Sequence, residues 1–189
     1  MGDSKHLTTA ELEAGLAHIR QAPRDEGVLH LIVRRPKDDE REVLTIGQLD
    51  LGEGLVGDNW RTRGSKNTAD GSAHPEMQLN LMNSRAIELI AQGGAERWAL
   101  AGDQFYVDFD LSEENVPAGT QLALGTAVIE VTPVPHNGCK KFVGRFGLEA
   151  MKFVNSPVGK QLHLRGINAR VVQAGTVQVG DVVRKLERP

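Results

Sequence analysis

The side chains best suited to chemistry lie in one short stretch of the sequence. Cys139 is the only cysteine, and a cluster of cations follows it closely: Lys140, Lys141 and Arg145. A thiolate is both a nucleophile and a metal ligand, and nearby cations stabilise it relative to the thiol. Half ionisation of a cysteine near neutrality requires roughly 2 kcal/mol of such stabilisation, which one or two cations can supply. The chemistry is therefore predicted at Cys139, with His136 as a weaker source of positive charge.

Several common roles of a lone cysteine compete with this prediction. A buried, unreactive thiol is the more frequent role, but the Pro/Gly-rich approach and the flanking cations favour a functional Cys139. A zinc site needs three or four ligands at short spacings, and one cysteine with six scattered histidines offers no such cluster, so no zinc site is expected. A cysteine-dependent hydrolase with His136 or His74 as its base stays open. No G-x-x-x-x-G-K-[ST] phosphate loop occurs, and the glycines of GEGLVG at 52–57, which have G-x-G-x-x-G spacing, predict a tight bend.

Length and composition narrow the class of protein. The 189 residues fit one domain of ordinary size, and 40% hydrophobic with 25% charged residues is typical of a globular protein. The net charge of -3 gives no global basic field, so generic nucleic-acid binding is not expected. No apolar run reaches the ~20 residues of a membrane span, and the first residues lack a secretory signal. We expect a cytoplasmic protein without a membrane partner.

The elements that must position Cys139 are mostly short strands. Thr8 and Glu11 have the spacing of a capping box, which predicts a helix over 8–21 and a helical extension over 1–26 ahead of the main domain at 27–189. Further helices are predicted after Ser84 and over 148–155. Alternating or β-branched runs bounded by glycine turns predict strands, at 28–33, 43–46, 78–82, 105–109, 122–124, 127–131, 169–172, 177–179 and 182–183. This pattern predicts a mainly β, barrel-like α+β fold with helical decoration.

A long segment without apolar periodicity carries further cations. Residues 61–75 contain Arg61, Arg63 and Lys66, and loops of this length in a compact domain are usually functional or disordered. A mobile surface loop and a lid or anion-binding loop are both open, and the three cations favour an anionic ligand slightly.

Four stretches of the sequence resemble one known family. These are GEGLVGDNW at 52–60, GDQFYVDFDLSEENVPAGTQLALG at 102–125, GTAVIEVTPVPHNGCKKFVGRFG at 125–147 and LHLRGINARVVQAGTVQVGDVVRKL at 162–186. Together they resemble the MOSC domain, which is named after the C-terminal domain of molybdenum-cofactor sulfurases. The resemblance covers roughly Gly27 to Leu186. Its most specific parts are the single cysteine after a strand and the LRGI…GD tail.

The resemblance implies a barrel-like β fold and a specific role for Cys139. That residue is expected to carry sulfur as a persulfide or to ligate molybdenum in a bound pterin cofactor, and members are connected with the reduction of N-hydroxylated compounds. Such a reductase needs an external electron donor, because no flavin, haem or iron–sulfur motif is present. A sulfur donor is the partner if Cys139 is a sulfur carrier. The expected cofactor-binding residues are Lys140, Lys141, Arg145, His136, Asn137, Arg61, Arg63 and Arg165.

Two alternatives to this function remain open from the residues. The protein can be a non-enzymatic module that presents a basic pocket to an anionic ligand or a protein partner. It can also be the cysteine-dependent hydrolase described above. Neither needs molybdopterin.

Overall fold

A computed structural model describes residues 6–187. The strands, in chain order, are β1 (Glu26–Arg34), β2 (Glu42–Leu44), β3 (Ile46–Asp50), β4 (Gly54–Leu55), β5 (Leu79–Asn83), β6 (Phe105–Asp108), β7 (Gln121–Leu124), β8 (Ala127–Val131), β9 (Ile167–Gln173), β10 (Gly175–Gln178) and β11 (Val182–Lys185). The helices are α1 (Thr9–Ala14), α2 (Leu16–Ile19), α3 (Trp60–Arg63), α4 (Ser84–Ala91), α5 (Ala95–Trp98), α6 (Lys140–Phe146), α7 (Leu148–Asn155) and α8 (Pro157–Gln161). Two 3-10 turns span Pro75–Met77 and Ala99–Ala101.

Seven of these strands close into a barrel. Their order is β11-β7-β8-β9-β5-β6-β1, and pairing of β1 with β11 completes the circle. All neighbours are antiparallel except β5 and β6, which α4 and α5 connect as a parallel pair. β2 extends the sheet beside β1, and β10, β3 and β4 form a small second sheet. Closure leaves the barrel strands without a free edge, and it confirms the predicted barrel-like fold. No helix within residues 6–187 is long and apolar enough to cross a membrane.

Strand β6 shows how the barrel creates two cores. Phe105, Tyr106 and Val107 are all fully buried, although successive side chains of a strand point to opposite faces. Phe105 and Val107 pack inside the barrel, whereas Tyr106 packs in a second core between the barrel wall and the helices. In β1 a register shift between Leu29 and Leu31 sends these two residues into different cores. The second core is the layer on which α6 and Cys139 rest.

The N-terminal segment packs on this second core. The predicted capping box is confirmed: Glu11 N–H donates to the Thr8 hydroxyl, and Thr8 N–H donates to the Glu11 carboxylate. The predicted single helix is divided at Gly15 into α1 and α2, and each contributes one buried residue to the second core, Leu12 and Ile19 respectively. The boundary at residue 26 stays a prediction, although β1 begins at Glu26.

Other local predictions need correction. The cap of α4 is Asn83, whose side chain accepts from the N–H groups of Arg85 and Ala86, so Ser84 is the first helical residue. The segment predicted as one strand at 43–46 belongs to two strands, β2 and β3. Helix α6 forms despite its Gly144 because Phe142 and Phe146 bury their rings in the second core.

Gly166, at the start of β9, provides a test of the close packing beneath the site. Its φ of +107° is in the left-handed region, and a Cβ there would lie 2.2 Å from the Leu81 carbonyl oxygen. We expect Gly166→Ala to lower the free energy of unfolding by about 3 kcal/mol, from backbone strain and overpacking together. Gly180 has a similar φ of +94° with open space around it, so Gly180→Ala should cost only about 1 kcal/mol. Urea unfolding of both variants measures the difference, and equal losses would contradict it.

Candidate functional site

A cavity of about 350 Å³ lies beside the start of α6. The barrel wall and the β1–β2 loop form one side, and α6 forms the other. Six of the predicted site residues line it: Cys139, His136, Lys141, Arg145, Arg63 and Arg165. The fold therefore brings together most of the cations that the sequence places far apart.

Three predicted residues do not line this cavity. Lys140 is exposed on α6, and Arg61 is exposed on α3. Asn137 lines a neighbouring cavity of about 460 Å³, on the other side of the segment that leads to Cys139. His136 and Arg165 line both cavities. A role for Lys140, Arg61 and Asn137 in cofactor binding stays a prediction.

Cys139 is exposed because the chain before it is held in an extended path by α7. Gly138 N–H donates to Asn155 Oδ1 at 2.9 Å, and Asn155 Nδ2 donates to the Gly138 carbonyl at 3.3 Å. Cys139 is the N-cap of α6, but its side chain makes no capping hydrogen bond. The free thiol therefore faces outward at the rim of the cavity.

A buried ion-pair network lies beneath the thiol. The carboxylate of Asp103 is fully buried, with Oδ1 2.8 Å from His136 Nε2 and Oδ2 2.6 Å from Arg165 Nη1. Arg165 also donates to the Ala101 carbonyl at 2.9 Å and stacks over the Phe142 ring, 5.1 Å from its centroid. These contacts fix the guanidinium group in place, while Arg165 Nε is buried without a partner among the described residues.

Electrostatics sets the protonation states of this network. Burial alone raises the pKa of the Asp103 carboxyl, but Arg165 and His136 outweigh it and lower the pKa to about 2. Burial, and then the charge of Arg165, lower the pKa of His136 below its ordinary value. Asp103 is therefore ionised near neutrality, and His136 is neutral. Because a carboxylate only accepts, His136 Nε2 carries the proton and Nδ1 is left as an acceptor.

The same facts bear on the hydrolase alternative. His136 Nε2 is hydrogen-bonded to Asp103. Within residues 6–187, no hydrogen bond joins the Cys139 thiol to His136 or His74. A thiol hydrolase needs its base within hydrogen-bond reach of the nucleophile. The geometry gives this alternative no support.

A second buried pair lies beside the cavity, and its arginine, Arg35, is part of the lining. Arg35 Nη2 lies 2.7 Å from Asp58 Oδ2, and Arg35 Nη1 donates to Asn80 Oδ1 and to the Gly102 carbonyl. The neighbouring Asn59 is buried, and in the described part of the chain its Oδ1 has no hydrogen-bond partner. This oxygen is an acceptor available to a ligand N–H group.

The polar network also connects the barrel to the segment before Cys139. Asn80 Nδ2 donates to Asn168 Oδ1 at 2.7 Å, and Asn168 Nδ2 donates to the Val134 carbonyl at 2.9 Å. Both asparagines are buried in the barrel wall. Their hydrogen bonds explain why the Pro-rich segment, which forms no strand, has a defined path.

Sequence reasoning missed Asp103, Arg35, Asp58 and Asn59. The sequence did contain a signal for Asp103: it is an acidic residue that lies two positions before the buried strand β6, which indicates a buried, paired carboxylate. Charged residues are almost never fully buried unless they are paired. No comparable signal marked Arg35 or Asn59.

No three His, Cys, Asp or Glu side chains within residues 6–187 gather as a metal site. Cys139, the only cysteine of the sequence, lines the cavity and could bind a metal as a single protein ligand.

Comparisons with known proteins agree with the fold. YiiM from Escherichia coli matches with a TM-score of 0.54 and 20% identity, over 86% of this chain and 71% of that chain. The YuaD protein from Bacillus subtilis matches with a TM-score of 0.56 and 15% identity, over 86% and 97%. A protein described only as hypothetical matches with a TM-score of 0.58 and 20% identity, over 87% and 69%. No curated protein matches in sequence.

The structural matches alone show the fold, because their identities are low. The family evidence comes from a model described as the MOSC domain, which matches residues 68–184. That range covers well over half of the chain, from the loop before β5 to β11, and includes Cys139, Asp103 and Arg165. The chain therefore belongs to the MOSC domain family, which is linked to the molybdenum cofactor.

Proposed function

We propose that the protein binds the molybdenum cofactor in the cavity beside α6, with Cys139 as the molybdenum ligand or as the carrier of a persulfide sulfur. One observation carries the proposal. The only thiol of the chain is exposed at the rim of a cavity whose described lining contains seven cationic side chains and two carboxylates. Family membership supplies the link to the cofactor.

The donor set of the cavity fits such a cofactor. A thiolate is a soft ligand, which suits molybdenum. Guanidinium groups suit the phosphate of a molybdopterin, because they donate paired hydrogen bonds to an oxyanion. The unpartnered Asn59 Oδ1 can accept from a pterin N–H group, and a buried acceptor without a partner is costly unless a ligand satisfies it. The volume of about 350 Å³ is also within the range of small-ligand sites.

The buried pairs give these donors fixed positions. Asp103 holds Arg165, and Asp58 holds Arg35. Arg63 and Arg41 also line the cavity, and desolvation, followed by repulsion from neighbouring arginines, lowers the pKa of each guanidinium. Arg41 is half-buried, and a partly desolvated cation favours an anionic ligand, because that ligand replaces the lost hydration.

The reaction class that we propose is the reduction of N-hydroxylated compounds. Converting N–OH to N–H consumes two electrons and two protons and releases water, so an external electron donor is required. The bound cofactor would supply two-electron redox chemistry. The chain itself would bind the anionic groups through its arginines, fix the cofactor through Cys139, and keep His136 neutral beside Asp103.

Elemental analysis tests this proposal directly. Protein purified from a host that makes the cofactor is expected to contain molybdenum together with a fluorescent pterin, or sulfur on Cys139 that cyanide releases. Protein from a host that cannot make the cofactor is the control for adventitious metal. Absence of molybdenum, pterin and cyanide-labile sulfur from the first preparation would reject the proposal.

A further inference from the structure

An acidic residue of the β1–β2 loop occupies the cationic side of the cavity. Asp39 Oδ1 lies 3.1 Å from Lys141 Nζ and 3.0 Å from Arg145 Nη2, both on α6. Asp39 adopts a φ of +61°, which is uncommon for a residue other than glycine. The loop thus places one carboxylate against two cations that are about a hundred residues further along the chain.

Two of the three cations around Asp39, Arg145 and Arg41, have anchors of their own. Arg145 Nη1 donates to the Leu100 carbonyl at 2.7 Å, and Arg41 Nε donates to the Ala99 carbonyl at 3.1 Å. Both guanidinium groups lie beside Gly102, where an added Cβ would be 3.5 Å from Arg41 Nη2 and 3.9 Å from Arg145 Nη1. The arginines therefore do not depend on Asp39 for their positions.

Asp39, in contrast, has no such anchor. Its side chain is 65% exposed and that of Lys141 is 61% exposed, and ion pairs between exposed side chains are weak. The hydrogen bond and the charge of Lys141, and then the charges of Arg145 and Arg41, lower the pKa of the Asp39 carboxyl. Asp39 is thus an ionised, weakly held carboxylate beside two arginines that are fixed independently of it.

We propose that Lys141, Arg145 and Arg41 form an oxyanion subsite next to Cys139, and that Asp39 fills it until a phosphate or carboxylate group takes its place. The inference rests on the proposed function, since it assigns one part of the same cavity to an anionic group. That group belongs either to the cofactor or to the substrate. In both cases Asp39 is the competitor that the incoming anion displaces.

Cys139 provides the reporter for a test, because the chain has no other thiol. Iodoacetate and iodoacetamide react with the same thiolate and are similar in size, but only iodoacetate is an anion. The ratio of their alkylation rates therefore cancels changes in thiol ionisation and exposure. In cofactor-free protein, Asp39→Asn is expected to raise the iodoacetate-to-iodoacetamide ratio about fivefold at low salt. Asparagine also tolerates the left-handed backbone of Asp39.

Asp38→Asn is the matched control. It removes the same charge from the same loop, but Asp38 contacts Asn59 instead of Lys141 or Arg145. Its effect on the ratio should stay below about twofold. Inorganic phosphate should return the ratio of the Asp39→Asn protein toward the parent value, and adding Arg145→Gln should remove this phosphate effect. An unchanged ratio in Asp39→Asn, or an equal rise in Asp38→Asn, would overturn the subsite.

The test also separates this inference from the proposed function. It uses cofactor-free protein, so a fivefold rise supports the subsite even if elemental analysis later finds no molybdenum or sulfur. In Asp39→Asn protein loaded with cofactor, calorimetry with inorganic phosphate identifies the source of the anion. If the loaded protein no longer binds phosphate, the cofactor occupies the subsite. If it still binds phosphate, the subsite is free for an anionic group of the substrate. No phosphate binding by the cofactor-free Asp39→Asn protein counts against the subsite.

Discussion

Protein with Cys139→Ala is expected to fold like the parent. Its molybdenum content should be at least tenfold lower than that of the parent, or it should contain no cyanide-labile sulfur. The thiol is exposed and makes no capping hydrogen bond, so its removal should change the free energy of unfolding by less than about 0.5 kcal/mol. Its loss as a ligand should be severe, because removing even a residue that only supports a metal ligand costs about 10–100-fold in affinity. Elemental analysis and urea unfolding of the same preparation measure both quantities.

Two further variants sharpen this experiment. Cys139→Ser keeps the size of the side chain but replaces the soft sulfur with a hydroxyl, so it should lose the metal as alanine does. Lys152→Ala, on the exposed side of α7, should keep the parent content. Parent levels of molybdenum and pterin in Cys139→Ala would show that the thiol is not the ligand. They would favour the alternative of a basic pocket that binds an anionic ligand without chemistry at sulfur.

The second large effect is expected at Asp103. Asp103→Asn leaves the charge of Arg165 buried with no carboxylate nearby, and breaking a buried pair in this way usually costs about 3–5 kcal/mol. Glu130→Gln is the control, because the Glu130–Arg170 pair is partly exposed and should cost less than about 1 kcal/mol. Urea unfolding monitored by circular dichroism measures both losses. If Asp103→Asn does not fold, Asp103→Asn with Arg165→Met removes both charges and should recover part of the stability.

The effect of Asp103→Asn should depend on pH with a defined sign. The pKa of Asp103 is lowered from 3.8 to about 2, so its contribution is complete above about pH 4 and is lost as pH falls towards 2. The difference in stability between parent and variant should therefore shrink by about 2 kcal/mol over that window. The stability of the parent itself also falls below about pH 6.5, because the pKa of His136 is lowered and the unfolded chain binds its proton more readily. A difference that is constant between pH 5 and pH 2 would contradict the buried ion pair.

Local patterns in the sequence were sufficient to predict much of the secondary structure. Thr8 and Glu11 predicted the capping box that the structure contains, because capping depends on residues only three positions apart. Alternation of apolar residues predicted the strands near 105–109 and 127–131, because side chains of a strand alternate between faces. Local patterns were less reliable at the boundaries of elements, where Asn83 and Ser84 are equally suitable caps.

The closure of the barrel and the path of α6 depend on contacts between distant residues. Glu26 of β1 pairs with Arg184 of β11, and no local pattern records that they are neighbours. Helix α6 contains Gly144, which lowers helix propensity, but burial of Phe142 and Phe146 outweighs that cost.

For the candidate site, the sequence by itself was enough to predict which atom does the chemistry. One cysteine among cations, in stretches that resemble the MOSC domain, was enough to select Cys139 and the family. Only the tertiary structure decided which charges surround that thiol. Asp103 and Arg165 are 62 positions apart, and Asp39 and Arg145 are 106 positions apart. Charges interact according to their distance in space and their degree of burial, and the folded barrel sets both.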